Sequence, residues 1–100
     1  MSVIVLARFR GDPAKFEAAI RSQPALFEAL ADEAKRKGAL HHSMAARDGE
    51  VISVDEWQTA DAYNAIYPDE PDVVRFLNDA GLQEPPEVEY YVRLPVPGEF

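Results

Sequence analysis

The sequence contains no cysteine. That excludes a disulfide framework, a thiolate nucleophile and any zinc, iron–sulfur or haem centre held by Cys ligands, and it fits a reducing cytoplasm. Long apolar runs are missing too. The opening Met-Ser-Val-Ile-Val-Leu-Ala-Arg is too short for a signal peptide or a membrane span, and no later run is longer. Positive charge is scarce, with ten Lys and Arg against eighteen Asp and Glu and a net charge of −8. Phosphate backbones and anionic membranes are bound by clustered cations, so neither a nucleic acid nor a membrane is expected as a partner. The deficit is local: Asp48 to Glu89 holds twelve acidic residues and one basic residue, Arg75, whereas residues 12–37 carry five of each sign. No Asp-x-Asp-x-Asp loop occurs in the acidic stretch, which therefore reads as a solvated face and not as a cation site.

What is present suffices for one domain with its own core, residues 1–100, with 95–100 as an extended, proline-rich arm. Val3 to Phe9 reads as a β-strand apolar on both faces until Arg8 and Arg10, and a strand of that kind is covered on both sides. Gly11-Asp12-Pro13 stops it and starts a helix, with Asp12 as N-cap and Pro13 in the first turn. The helix runs towards Lys37 with Phe16, Ile20, Phe27, Leu30, Ala31 and Ala34 on one stripe; Pro24 kinks or breaks it without changing the phase, and Gly38 ends it. Ala39 to Arg47 is a second strand. Asp48-Gly49 carries the signal of a type I′ turn into a third strand ending at Trp57. A two-residue loop sets the opposed pairs as Met44 with Ser53, His42 with Asp55, and Leu40 with Trp57, so His42, Asp55 and Trp57 share a face. Thr59 caps a helix bearing Tyr63, Ile66 and Tyr67. After Pro68 to Pro71 a further helix, Asp72 to Ala80, turns Val73, Phe76, Leu77 and Ala80 inward, and Val88 to Leu94 is the final strand.

The order strand, helix, strand, strand, helix, strand implies an α+β, ferredoxin-like βαββαβ antiparallel sheet with its helices on one face. Helices on one face leave the first strand's other apolar side open. A homodimer with two sheets face to face, enclosing a lumen, solves that problem.

The run Val54-Asp-Glu-Trp-Gln-Thr-Ala-Asp-Ala-Tyr63, with an acidic residue two before the tryptophan and a Thr cap two after it, resembles the signature of antibiotic biosynthesis monooxygenase-type domains. Gly38-Ala-Leu ahead of a hairpin strand fits the same pattern, so the resemblance covers nearly the whole chain. It implies a dimeric α/β barrel and, for one branch, cofactor-independent oxidation of polyphenolic substrates. That branch accompanies its tryptophan with a tyrosine six positions later, matched by Tyr63, and an asparagine four positions earlier, where Ser53 stands. Its later arginine is Leu77 here, with Arg75 two residues away. The haem-degrading branch places a histidine ten positions after the tryptophan, where this chain has Tyr67, and an asparagine on the first strand, which this chain lacks.

The resulting expectation is a cofactor-free homodimer that oxidises a small aromatic, of quinol or polyphenol type, in a lumen pocket. Trp57, Phe9, Arg8 and Ser53 would bind the substrate, and His42, Asp55 and Tyr63 would carry the chemistry. A carboxylate beside an imidazole raises its pKa and makes a proton acceptor near neutral pH. Simpler readings stand beside these: Trp57 as core, His42 with Asp55 as a self-satisfying cross-strand pair, and Arg8 at a strand end in water. His41 and His42 point to opposite faces, so no metal site is expected. The alternative function is a non-catalytic dimeric module that binds a small ligand or a partner protein.

Overall fold

Alternation between apolar and polar positions builds a sheet here, and prolines and glycines divide the helices that cover it. The computed structural model describes residues 1–66, 71–82 and 84–100. The strands are β1 (Val3–Arg10), β2 (Ala39–Arg47), β3 (Glu50–Trp57) and β4 (Glu87–Val92), and the helices are α1 (Pro13–Arg21), α2 (Pro24–Arg36), α3 (Ala60–Ile66) and α4 (Pro71–Asp79). The sheet order is β2-β3-β1-β4 with every neighbouring pair antiparallel, the α+β ferredoxin-like arrangement.

Asp12 caps α1 by accepting a hydrogen bond from the Ala14 N–H at 3.0 Å, and Pro13 opens the helix. Pro24 breaks the long helical stretch into α1 and α2, and each starts on a proline. A proline has no N–H to bond to the preceding turn, but at a first helical position none is needed. Thr59 caps α3 through its Oγ1, which accepts from the Ala62 N–H at 3.1 Å. Tyr67 and the Pro68–Glu70 interruption lie outside the described residues.

The β2–β3 hairpin pairs Arg47 with Glu50, the register of a two-residue loop. Its turn is not type I′, however. That turn needs φ > 0 at both central residues, and only Gly49 is positive, at 75°. His42 opposes Asp55 and Met44 opposes Ser53, whereas Trp57 opposes Ala39 in place of Leu40. A β-bulge between Ala39 and His41 inserts one extra residue, so the pair sums established by the turn stop holding at the far end of the hairpin.

One sheet face carries the core. Val5 and Trp57 are about 1% exposed and pack with Ala34, Tyr63 and Ile66. A second cluster joins Val51 of β3 to Phe16, Phe76, Ala80 and Leu82. Phe76 receives Phe16 and Phe27 edge-on, with ring centroids 5.3 and 4.8 Å away. Ile4, Leu6, Ile52 and Val54 occupy the opposite face and are only half-buried within one chain. Among the described residues, no helix is long and apolar enough to cross a membrane.

Candidate functional site

Period-two alternation sends Ser53, Asp55 and Trp57 of β3 to the same side of the sheet as His42 of β2 and Phe9 of β1. That side faces the helices. Asp55 is 6% exposed and is the only buried charged or polar residue among those described. Burial of a carboxylate is costly unless its oxygens accept hydrogen bonds, and both do. His42 Nδ1 lies 2.6 Å from Asp55 Oδ1, and the Trp57 Nε1–H donates to Asp55 Oδ2 at 3.2 Å. The His42 imidazole is pushed above its ordinary value of 6.5, first by the hydrogen bond to Asp55 and then by that carboxylate's charge, with partial burial opposing them. With Asp55 ionised, the Nδ1–H donates to it, and Nε2 holds the free lone pair of the neutral ring. Tyr63 of α3 completes the cluster edge-on to Trp57, ring centroids 5.7 Å apart and planes at 82°.

These groups line a cavity of about 310 Å³ between the helices and the sheet. Phe16, Ile20, Phe27, Leu30 and Phe76 supply its apolar helical wall, and Phe9, Met44, Ser53, Asp55 and Trp57 belong to its sheet wall. The volume falls at the small end of the range for small-molecule pockets, about 300–1,000 Å³. The cavity also explains why Ile20, Phe27 and Leu30, though on the inward stripe, are only half-buried. The expected pocket was a lumen between two sheets, but Trp57 faces its own chain's helices, so the cavity beside it is formed within one chain.

The structure brings together six of the residues singled out from the sequence: His42, Asp55, Trp57, Tyr63, Phe9 and Ser53 all line this cavity. Arg8 is separated from them. It opposes Ile52 and so sits on the other sheet face, where its Nε is 2.8 Å from Glu50 Oε1 and its Nη1 pairs with Glu89. The odd and even positions of β1 diverge by the pleat alone, which places Arg8 opposite to Phe9. Leu40, Lys35, Val73 and Leu77 also border the cavity, although sequence reasoning did not assign them to it. Leu77 was visible as an inward helical residue; the bulge that displaces Leu40 left no sequence signal. Among the described residues, no group of three His, Asp or Glu side chains could hold a metal ion.

No family model matches the sequence, and no curated protein does. Solved structures do. SnoaB, a cofactor-independent oxygenase from Streptomyces nogalater, is similar over 98% of this chain and 98% of its own at 20% identity and a TM-score of 0.64. A putative antibiotic biosynthesis monooxygenase from Bordetella bronchiseptica is similar over 93% and 97% at 19% identity, TM-score 0.64. A Streptomyces coelicolor monooxygenase, solved with the ligand nanaomycin D, is similar over 95% and 89% at 16% identity, TM-score 0.67. The chain has the antibiotic biosynthesis monooxygenase-type fold.

Proposed function

We propose that the protein is a cofactor-independent monooxygenase that oxidises a small, electron-rich aromatic in the cavity beside Trp57. The observation that carries this reading is the hydrogen-bonded row His42–Asp55–Trp57 opening onto an apolar cavity. A base needs a free lone pair, a fixed orientation and a pKa near the working pH; Asp55 supplies the last two to His42. Shared fold with SnoaB, described as a cofactor-independent oxygenase, adds support at the level of architecture.

In the proposed reaction the His42 Nε2 takes a proton from a phenol or from an activated methylene beside an aromatic ring. The resulting carbanion or phenolate gives electrons to dioxygen and joins it as a peroxide. Loss of water then leaves a carbonyl: two hydrogens have left the substrate, both from the methylene carbon or one from the phenol oxygen and one from the oxidised ring carbon, while one oxygen atom stays on that carbon and the other departs as water. The edge-on rings of Trp57 and Tyr63 shape a slot for a planar ligand, Phe9 and Ser53 extend its sheet wall, and the Tyr63 hydroxyl serves as donor or proton relay. The active unit is a homodimer joined through the open sheet face, because Ile4, Leu6, Ile52 and Val54 otherwise remain half-exposed to water. Arg8, tied to Glu50 and Glu89 on that face, is assigned to the dimer side and not to the substrate.

Anaerobic loading with a panel of quinols and anthrone-type phenols, followed by admission of air, tests the reading through oxygen uptake and product mass. Uptake is expected to fall about 100-fold or more in a Trp57→Phe, His42→Ala double variant, the scale on which a general base contributes. Uptake by the wild type no greater than by that variant, across the panel, removes the enzymatic reading. Leu77 on the cavity wall, at the position where the quinol-oxidising pattern has an arginine, favours a second reading: a dimeric module that binds a small ligand without turning it over.

A further inference from the structure

The cavity that the proposed function assigns to an aromatic substrate has a positively charged border in an otherwise acidic protein. Lys35 lies in the last turn of α2 and lines this cavity, followed in sequence by Arg36 and Lys37. Among the described residues, Lys37 pairs with Glu33 at 3.6 Å, and all Lys and Arg side chains except Lys15, Lys35 and Arg36 take part in an ion pair. Of those three, Lys35 alone borders the cavity. The charges inside are already matched, since Asp55 is taken up by His42 and Trp57.

We infer that Lys35 is an anion-recognition residue of this cavity, and that its ligand is a planar aromatic acid: an apolar ring system in the cavity with a carboxylate, or an equally acidic oxygen, directed to the Lys35 ammonium. This inference rests on the ligand-site reading of the preceding subsection. A chain of net charge −8 repels anions at long range. Attraction of an acid to this cavity therefore needs a local cation at its border, and the unpaired ammonium supplies it. The lysine stem is apolar and adds to the wall while the head stays in water, so it recognises a substituent at the solvent-facing end of the ligand. Arg8, the cation expected from the sequence to bind the substrate, is instead paired with Glu50 and Glu89 on the other face.

Calorimetric binding of 2-naphthoate and of its methyl ester to the full chain tests the inference without requiring turnover. In low salt the ratio of ester Kd to acid Kd is expected to fall about fivefold in Lys35→Gln, the scale of one partly solvated ion pair. The ester's own Kd should stay unchanged, Lys35→Arg should retain the ratio, and Arg36→Gln should leave it as in the wild type. Salt at about 1 M, where the Debye length is about 3 Å, should reduce the wild-type ratio towards that of Lys35→Gln. A ratio blind to Lys35, a fall of the same size in Arg36→Gln, or no binding of either probe overturns the inference. Oxygen uptake is scored separately. A ratio that responds to Lys35 without uptake keeps the anion site and removes the oxygenase; uptake with a ratio blind to Lys35 does the reverse.

Discussion

Asp55 is the residue on which the site's chemistry turns. A buried carboxylate with both oxygens engaged holds the His42 ring by Nδ1 and the indole by Nε1, so one side chain positions two others. The upward shift of His42 sets a pH signature. A general base must be neutral, so activity should rise with pH along a limb centred above 6.5. Asp55→Asn removes the charge and should move that limb down towards the ordinary imidazole value, read as a pH–rate profile. Stability behaves in the opposite sense. A raised folded pKa means the charged pair's contribution is fully present below 6.5 and is lost as pH rises through the folded value. Melts of His42→Gln against wild type should therefore show their largest gap in mild acid and converge in alkali. The pairing of His42 with Asp55 was legible from the hairpin alone, because an antiparallel register is arithmetic once the loop length is known. Burial of Asp55 was not, since a residue in an acidic stretch of sequence is on average solvated.

At the scale of elements, glycines and prolines decide where helices and strands stop. Gly38 joins α2 to β2 at φ 119°, is itself buried, and a Cβ there would meet the Ala62 Cβ at 3.4 Å. Gly49 in the hairpin has φ 75° and open space around it. Gly49→Ala should cost about 1 kcal/mol, the ordinary penalty for a left-handed residue with a side chain. Gly38→Ala should cost more, about 2–3 kcal/mol, because its φ lies further from the left-handed helical well. Thermal melts would show the order, with about 4–8 °C of Tm for each kcal/mol in a chain of this size. An equal loss in both variants would mean that the α2–β2 junction relaxes freely. The bulge at Ala39/His41 belongs to the same scale: it brings Ala39 opposite Trp57, and Leu40, at the cavity edge, is 54% exposed. The two-residue loop sets the pairing at the hairpin's near end, and the bulge at Ala39/His41 resets it at the far end.

For the whole molecule, the fold leaves one sheet face bare, with Ile4, Leu6, Ile52 and Val54 only half-buried. Leu6 opposes Val54 there, Ile4 and Ile52 lie diagonally beside them, and ion pairs surround the patch: Arg8–Glu50, Arg10–Glu87 at 3.1 Å and Arg93–Glu56 at 2.8 Å. An apolar centre with a charged rim is the anatomy of an interface between folded chains. Sedimentation of the proposed dimer should give twice the mass of one chain, and Val54→Glu should yield monomers with an unchanged circular dichroism spectrum. Wild-type sedimentation as a monomer would remove the dimer from the proposed function. The sequence by itself determined the strand and helix order, the ferredoxin-like topology, the caps at Asp12 and Thr59, and the face shared by His42, Asp55 and Trp57, because all of these follow from local periodicity, turn residues and the two-fold alternation of a strand. Tertiary structure alone decided that Trp57 faces its own helices, that Arg8 is spent on Glu50 and Glu89, that a cavity remains beneath α2, and that Lys35 stands at its edge. Those outcomes depend on how layers fill space between residues distant in sequence, and no spacing along the chain encodes a volume left unfilled.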